Sequence, residues 1–501
     1  MKNLKTMTLL ASLCVGSFSF AQQQLVKMKT AMAVGSEMTF MVNGTASGVK
    51  VDWGDGVYQE HHLSVPGSPL FEIKGKVKGE HVNISCDDNL IFLDVDKCAL
   101  TELELLKARG LQSLSCADNE LTSLDLRQMH QLYDLDCSHN QLVALTFSSA
   151  DYNKVANDMP VLENMDISHN LFEGAYRFTL PTLRSLNISS NKFNRLYIYD
   201  KSLELLNCSN NQIDKGLYLM KLENLQGLLC FNNNISSLSF SNSGQKVQQL
   251  FCDGNKIRQI ILSEAEELKD LSCADNELTL VGMPEKSELS SLNVSGNNLD
   301  FSVLPQKNKA PEYLEFLPQS PFDFQRVEGI LYKDGIAYVP LSESWSDRQY
   351  INLKSKGSLA NGRNDATLSW YAIEDDGSQR ELTRRKTSAG TEDFYLSQGK
   401  VAFFTPHKKA YVKLTSHSYG YTLQSVPIAI GDDVTAVERP CAVDGSLQIS
   451  VANEALRLSG KGNVHVFTPA GKCVWQGFVN GETLVNLPKG IYIVNNVKIV
   501  L

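Results

Sequence analysis

The 501-residue chain carries no surplus of positive charge: 47 Lys and Arg stand against 56 Asp and Glu, a net of −9 with a pI near 5.6. Clustered cations dominate phosphate binding, so a nucleic-acid partner is not expected. Long apolar runs are missing except at the extreme N-terminus, which excludes a multi-pass membrane protein. The chain has no His-Glu-x-x-His, no Gly-x-Ser-x-Gly, no Walker loop and no Rossmann glycine pattern, so the commonest metal, acyl-transfer and nucleotide chemistries have no foothold. No cysteine lies between Cys273 and Cys441, and no disulfide joins residues within that stretch. What remains is an ordinary folded composition, 43% apolar and 21% charged, with length for three or four domains.

Residues 1–21 read Met-Lys-Asn-Leu-Lys, an apolar run from Met7 to Phe20, and a Ser19-Phe20-Ala21 exit. A basic start, a short apolar region and a small-x-small exit describe a secretory signal peptide cut after Ala21. Cys14 follows Leu13, where a lipoprotein signal wants a small residue, so no lipid anchor is expected there. Export would normally turn 11 cysteines into a disulfide framework. Their register argues otherwise. Cys86, Cys116, Cys137, Cys208, Cys230, Cys252 and Cys273 each stand three residues before an Asn.

That register belongs to a repeat. Leu111-Gln-Ser-Leu114-Ser-Cys116-Ala-Asp-Asn119-Glu-Leu121 returns as Leu132-Leu135-Cys137-Asn140-Leu142, and again at Asn170, Asn191, Asn211, Asn233, Asn255, Asn276 and Asn297. Ile84-Cys86-Asn89-Ile91 reads as a degenerate first copy. The intervals between framing Asn residues are 30, 21, 30, 21, 20, 22, 22, 21 and 21, and the two long ones imply extra turns beside the core. The pattern L-x-x-L-x-L/C-x-x-N-x-L resembles the leucine-rich repeat. Each repeat supplies a short strand whose alternate residues, such as Leu114 and Cys116, point into a shared core. The Asn turns inward to satisfy backbone groups that burial would strand. Cysteine at the second core position acts as a small hydrophobe, so the ladder is expected as packed free thiols. Stacked strands give a quasi-one-dimensional solenoid whose strand-lined face is the default binding surface.

The flanks are β-rich. Val49, Val51 and Trp53 alternate with polar residues ahead of Asp52-Trp53-Gly54-Asp55-Gly56, which resembles the W-G-D-G turn of polycystic-kidney-disease-like β-sandwich modules. Calcium at Asp52 and Asp55 would need more oxygen ligands than this motif supplies, whereas Asp capping a Gly turn needs nothing further. In 311–433, Thr367–Ile373, Val401–Phe404 and Tyr411–Leu414 read as strands, and Trp370 on a central strand resembles an immunoglobulin-like sandwich. Near the end stand Phe467-Thr-Pro-Ala-Gly471-Lys, then Leu487-Pro488-Lys-Gly490-Ile-Tyr492, then Lys498-Ile-Val-Leu501. These resemble the C-terminal sorting domain of the type IX secretion system, with Phe467 where Tyr is commoner. The resemblance implies recognition by the type IX export machinery, passage through the periplasm and outer membrane, removal of the domain, and release or attachment to surface lipopolysaccharide. An ordinary small β-sandwich cap is the alternative. Cys441 and Cys473 both fall here; their spacing leaves their pairing open.

The expected organisation is a signal peptide at 1–21, a β domain or cap with the W-G-D-G turn at 22–80, and leucine-rich repeats at 81–310. An immunoglobulin-like domain at 311–433 and a sorting domain at 434–501 follow. The fold class is a strand-lined solenoid flanked by small all-β, sandwich-like domains. No cofactor or metal is expected. His139 and His169, near Asp136 and Asp166, have metal-ligand chemistry but read as polar residues before the repeat Asn. Asp134, Asp136, Asp166 and Glu163 line an open face with nothing to raise one carboxyl as an acid. The outward position between the two core residues runs Ser115, Asp136, Asp166, Asn187, Asn207, Leu229, Phe251, Ser272, Asn293. Leu229 and Phe251 stand together, with Leu205 and Phe231 flanking, and such displayed apolar groups read as an interface hot spot. A covering loop or domain is the alternative. The chain is read as a non-enzymatic, secreted or surface protein that binds an extracellular protein, as an adhesin or host-interaction factor does. Asp136 and Asp166 would tune association. Glycan binding, for which Tyr133, Phe231 and Phe251 are the aromatic candidates, and an enzyme seated in the β domain are the other classes.

Overall fold

The computed structural model describes residues 24–431 and 447–500, except 46–47, 63–69, 87–89, 106, 148–158, 199–200, 215, 220–221, 241–244, 285–287, 325–326, 334–335, 343–348, 388–389, 453–454, 468–472, 488–490 and 495–496. The signal-peptide segment, Asn89, Cys441, Pro488 and Gly490 lie outside the described residues. The chain divides into two units, Met1–Asn297 with Pro311–Pro318, and Asn298–Ala310 with Gln319–Leu501.

The first unit is organised by one thirteen-stranded sheet. Three-residue strands of successive repeats pair in parallel with no slip: Leu114 opposite Leu135, Leu135 opposite Met165, and so on to Leu292 opposite Leu314. The spacing explains the register. One Leu or Met and one Cys, Ile or Val per repeat point inward, and Leu114, Cys116, Leu206, Cys208, Leu250 and Cys252 are all buried. A slip of one residue would turn this whole set to solvent. On the other side of the core, second strands pair in short sheets, such as Glu173–Phe178 with Lys192–Ile198 and Gln259–Ile261 with Leu280–Gly282. At the N-terminal edge, Glu37–Gly44 and Phe71–Lys76 extend the main sheet with antiparallel strands, and Lys74 and Lys76 lie on that edge strand, which discourages pairing with another chain.

The framing asparagines are buried polar ties. Asn211 is representative. Its Oδ1 accepts from Phe193 N of the preceding repeat at 3.0 Å, and its Nδ2 donates to the carbonyls of Ile188, Cys208 and Ser209 at 3.0–3.2 Å. The same set recurs at Asn140, Asn170, Asn233, Asn255, Asn276 and Asn297. One side chain thus serves both its own turn and its neighbour's, which is why the position demands an amide carrying both donor and acceptor.

The first repeat is not where the spacing put it. Leu90–Asp94 is the strand that pairs with Ser113–Ser115, with Leu93 opposite Leu114. Val95 and Cys98 therefore take the places of Cys116 and Asn119. Cys86 instead ends His81–Cys86, an antiparallel strand of the separate N-terminal sheet. The apparent 30-residue first interval is a 21-residue one in which Cys98 replaces the Asn. Without an amide of its own, this turn is tied from the next repeat, where Asn119 Oδ1 accepts from both Cys98 N and Leu100 N.

In the N-terminal sheet Asp52 Oδ1 accepts from Gly54 N and Gly56 N, both at 2.9 Å, and Asp55 pairs with Lys78 at 2.7 Å. The W-G-D-G segment is a capped turn. Trp53 is buried against Gly75, where even a Cβ would overlap the indole.

The second unit holds a seven-stranded and a three-stranded sheet within 331–430, and a five-stranded sheet over 447–500. Trp370, fully buried on Ala366–Ile373, meets Phe403 of the smaller sheet edge-to-face at 4.8 Å. That contact packs the central aromatic of the larger sheet against the smaller one. The terminal sheet is antiparallel, with Ala455–Phe467 paired to Cys473–Val485 and Ile491–Val494 paired to Val497–Val500.

Candidate protein-binding face

Outward side chains of the main sheet form continuous rows because every strand is in register. One row runs Asp94, Ser115, Asp136, Asp166, Asn187, Asn207, Leu229, Phe251, Ser272, Asn293, Glu315. Leu229 and Phe251 are direct cross-strand partners, each half-buried between buried neighbours. Leu205 is 49% exposed and leans over the adjacent strand, where a Cβ at Gly227 would stand 2.9 Å from Leu205 Cδ2. Gly227 leaves Leu205 the room to lie down. Phe231, half-buried, follows Cys230 at the strand's end. The four apolar residues thus come together over three neighbouring strands.

Tyr133 does not join them. It precedes the strand Asp134–Asp136, three strands from that of Leu205. Burial, with Asp134 and Glu163 beside it, raises its hydroxyl above the ordinary tyrosine value. Asp136 and Asp166 are half-buried and have a local task that the spacing alone did not suggest. Asp136 Oδ1 accepts from Ser138 N at 3.0 Å and Ser138 Oγ at 2.7 Å, and Asp166 holds Ser168 in the same way. Asn187, Asn207 and Asn293 repeat this with Ser189, Ser209 and Ser295. The recurring triplet, Asp or Asn, then any residue, then Ser, was the available signal.

Where a repeat lacks its own Asp or Asn, the preceding repeat can supply one. Asp96 Oδ1 accepts from Ser115 Oγ and Ala117 N, and Asp253 Oδ1 from Ser272 Oγ and Ala274 N. The strands bearing Leu229 and Phe251 have neither source, since Ser209 and Phe231 stand where Asp96 and Asp253 would. Leu229, Phe231 and Phe251 occupy the two turns released from this capping pattern, while Leu205 stands beside them on the strand whose Asn207 caps Ser209. Burial, reinforced by nearby Asp94 and Asp136, raises the Asp96 carboxyl despite its bonds to Ser115 and Ala117.

His139 and His169 are stacked, ring centroids 4.0 Å apart and planes within 10°. Both are left-handed, at φ 53° and 52°, in a row that includes Asp118, Ser190, Asn210, Asn232 and Asp275. The position before the framing Asn is a tight turn, and short polar residues, His and Gly suit it. Of the sorting-signal candidates, Leu487 is half-buried, while Tyr492 and Lys498 fall in the paired strands Ile491–Val494 and Val497–Val500. Among the described residues no helix is long and apolar enough to cross a membrane.

The parallel in-register strands, the 21-residue period and the asparagine ties define a leucine-rich repeat solenoid. No protein-family model and no curated protein matches the chain. Solved structures do resemble it. The functional domain of InlJ from Listeria monocytogenes, which includes a cysteine ladder, is 14% identical over 71% of this chain and 93% of that one, with a TM-score of 0.31. The leucine-rich repeat domain of APL1B is 16% identical over 46% of this chain and 73% of its own, at 0.36. The leucine-rich effector YopM from Yersinia pestis is 21% identical over 42% of this chain and 56% of its own, at 0.34.

Proposed function

We propose that the strand-lined face binds an extracellular protein, making this chain a secreted or surface-displayed recognition protein of the adhesin or host-interaction kind. The observation that carries the reading is the cluster of Leu205, Leu229, Phe231 and Phe251, in which Leu229 and Phe251 stand where other repeats place turn-capping polar residues. An outward Phe at such a site contributes little to the fold and much to an interface. The N-terminal signal and the Leu487-Pro488-Lys-Gly490-Ile-Tyr492 and Lys498 motifs support export by type IX machinery, followed by release or lipopolysaccharide attachment.

The test is a binding screen of the purified chain against host matrix proteins and glycans, followed by titration of Phe231→Ala and Phe251→Ala. Each variant should lose about 2 kcal/mol or more of affinity, roughly thirtyfold, at an unchanged melting temperature. Wild-type affinity in both, or a fall in stability instead of binding, would show the cluster to be covered core.

A further inference from the structure

We infer that the partner of this face is a cationic, extended segment of a protein, its Lys or Arg side chains meeting Asp136 and Asp166 and its apolar anchor seated on Leu229 and Phe251. This rests on the binding-face reading above and adds the chemistry of the ligand.

Three features of the face lead there. No outward position paired across the sheet, from Phe92 and Asp94 to Tyr313 and Glu315, is Lys or Arg. Asp94, Asp96, Asp134, Asp136 and Asp166 gather on its N-terminal half. Among the described residues no ion pair joins Asp94, Asp96, Asp136 or Asp166; of the nearby cations, Arg184 is taken by Glu204 at 2.6 Å and Glu163 at 3.6 Å, and Lys97 by Asp118 at 3.8 Å. Next, Asp136 and Asp166 stand directly opposite one another on paired strands, and like charges so placed destabilise a sheet. Finally, the turn does not require the charge. Asn187, Asn207 and Asn293 hold Ser189, Ser209 and Ser295 with the geometry that Asp136 and Asp166 use for Ser138 and Ser168. The fold uses acceptors at these positions, Asp166 Oδ2 also accepting from Asn187 Nδ2 at 2.8 Å; the two facing negative charges are a cost that a cationic ligand relieves.

Geometry sets the spacing of that ligand. Leu229 lies three strands from Asp166 and four from Asp136, or about 14 and 19 Å at ~4.8 Å per strand. An extended chain covers those distances in roughly four and six residues. The segment should therefore carry cations about four and six residues from its aromatic or aliphatic anchor.

The experiment pans a random linear 16-residue peptide library on the full chain in low salt, and re-tests the enriched peptides on Phe251→Ala and Asp136→Asn. Enrichment of Lys- and Arg-rich peptides with an apolar residue at that offset, weakened by Phe251→Ala, supports the proposal. Asp136→Asn should weaken them roughly two- to fivefold, the loss shrinking as salt is raised, while the melting temperature rises or holds. Neutral or acidic peptides that depend on Phe251 would overturn the cationic ligand and leave the binding face standing. Basic peptides indifferent to Phe251 would overturn the face itself, and no enrichment would remove both. A drop of more than about 2 °C in Asp136→Asn would show that the charge serves the fold. Millimolar calcium that raises the melting temperature of wild type and not of Asp136→Asn would make the pair a metal site instead.

Discussion

Replacing one framing asparagine tests the physical core of the fold. In Asn211→Ala the Phe193 N–H loses its 3.0 Å acceptor, and the carbonyls of Ile188, Cys208 and Ser209 lose a shared donor, all in a buried setting. A buried group left unmade costs about 1–3 kcal/mol. Counting the N–H and one carbonyl as stranded gives roughly 2–6 kcal/mol, as much as deleting a core leucine. At about 2–4 °C per kcal/mol, a central value of ~4 kcal/mol is a fall of roughly 8–16 °C. Asn211→Asp separates the two halves of the side chain. It keeps the acceptor for Phe193 N but sets an anion against three carbonyl oxygens, which raises its folded pKa above the unfolded value near 3.9. A raised folded pKa means that stability is present below the unfolded value and lost as pH rises through the folded one. Asn211→Asp should thus match or exceed the damage of Asn211→Ala at pH 7 and recover toward pH 4. Denaturant melts followed by circular dichroism, with hydrogen exchange at the Phe193 amide, read both effects. An Asn211→Ala variant within about 1 kcal/mol of wild type, or an Asn211→Asp variant fully stable at pH 7, would refute the reasoning.

Three further outcomes are expected. Burial raises the thiols of Cys98 and Cys208 to about 12 and pushes Cys137 and Cys230 well above the ordinary value; native protein should resist iodoacetamide, and mass spectrometry finding Cys208, Cys230, Cys252 or Cys273 in disulfides would overturn the packed-thiol account. Because these folded values are raised, stability is complete below the unfolded pKa near 8.5 and should fall above it by about 1.4 kcal/mol per pH unit per thiol. Burial alone would raise Asp393, but Thr383 N at 2.8 Å, the hydroxyls of Thr405 and Thr383, and Arg380 outweigh it and hold it at about 2. Its depressed value gives stability present above the unfolded pKa and lost between about pH 4 and 2, on the order of 2 kcal/mol; an Asp393→Ala variant with the same acid profile as wild type would contradict this. Deleting Lys498 to Leu501, most of the strand that pairs with Ile491–Val494, should leave the protein in the periplasm with its N-terminal signal removed; surface display of that truncation would end the sorting-domain proposal.

Much of this molecule was legible because a solenoid is nearly one-dimensional. Leu114, Cys116 and Asn119 interact mainly with their counterparts one repeat away, so spacing along the chain is also spacing in space. Period, core positions, buried thiols and the outward place of Leu229 and Phe251 all follow from the 21-residue frame. The frame failed at the first repeat. Cys86-Asp-Asp-Asn89 imitates the motif locally, but neighbouring antiparallel strands, Gln24–Thr30 and Gly48–Asp52, claim Cys86's strand for another sheet.

From the second repeat onward the sequence alone determined which residues face inward, since alternation and burial of apolar surface there favour a single register. Only the tertiary structure decided what the outward residues do. Asp136 looks the same on paper whether it caps a turn or waits for a ligand. Its bond to Ser138, its strand partner Asp166, and Asn207 doing the same capping without charge are relations between side chains across strands. Spacing carries the local Asp/Asn-x-Ser triplet, but not the cross-strand neighbours, because a polar residue on a solvated face has no burial constraint and its role is set by whichever groups the fold brings beside it.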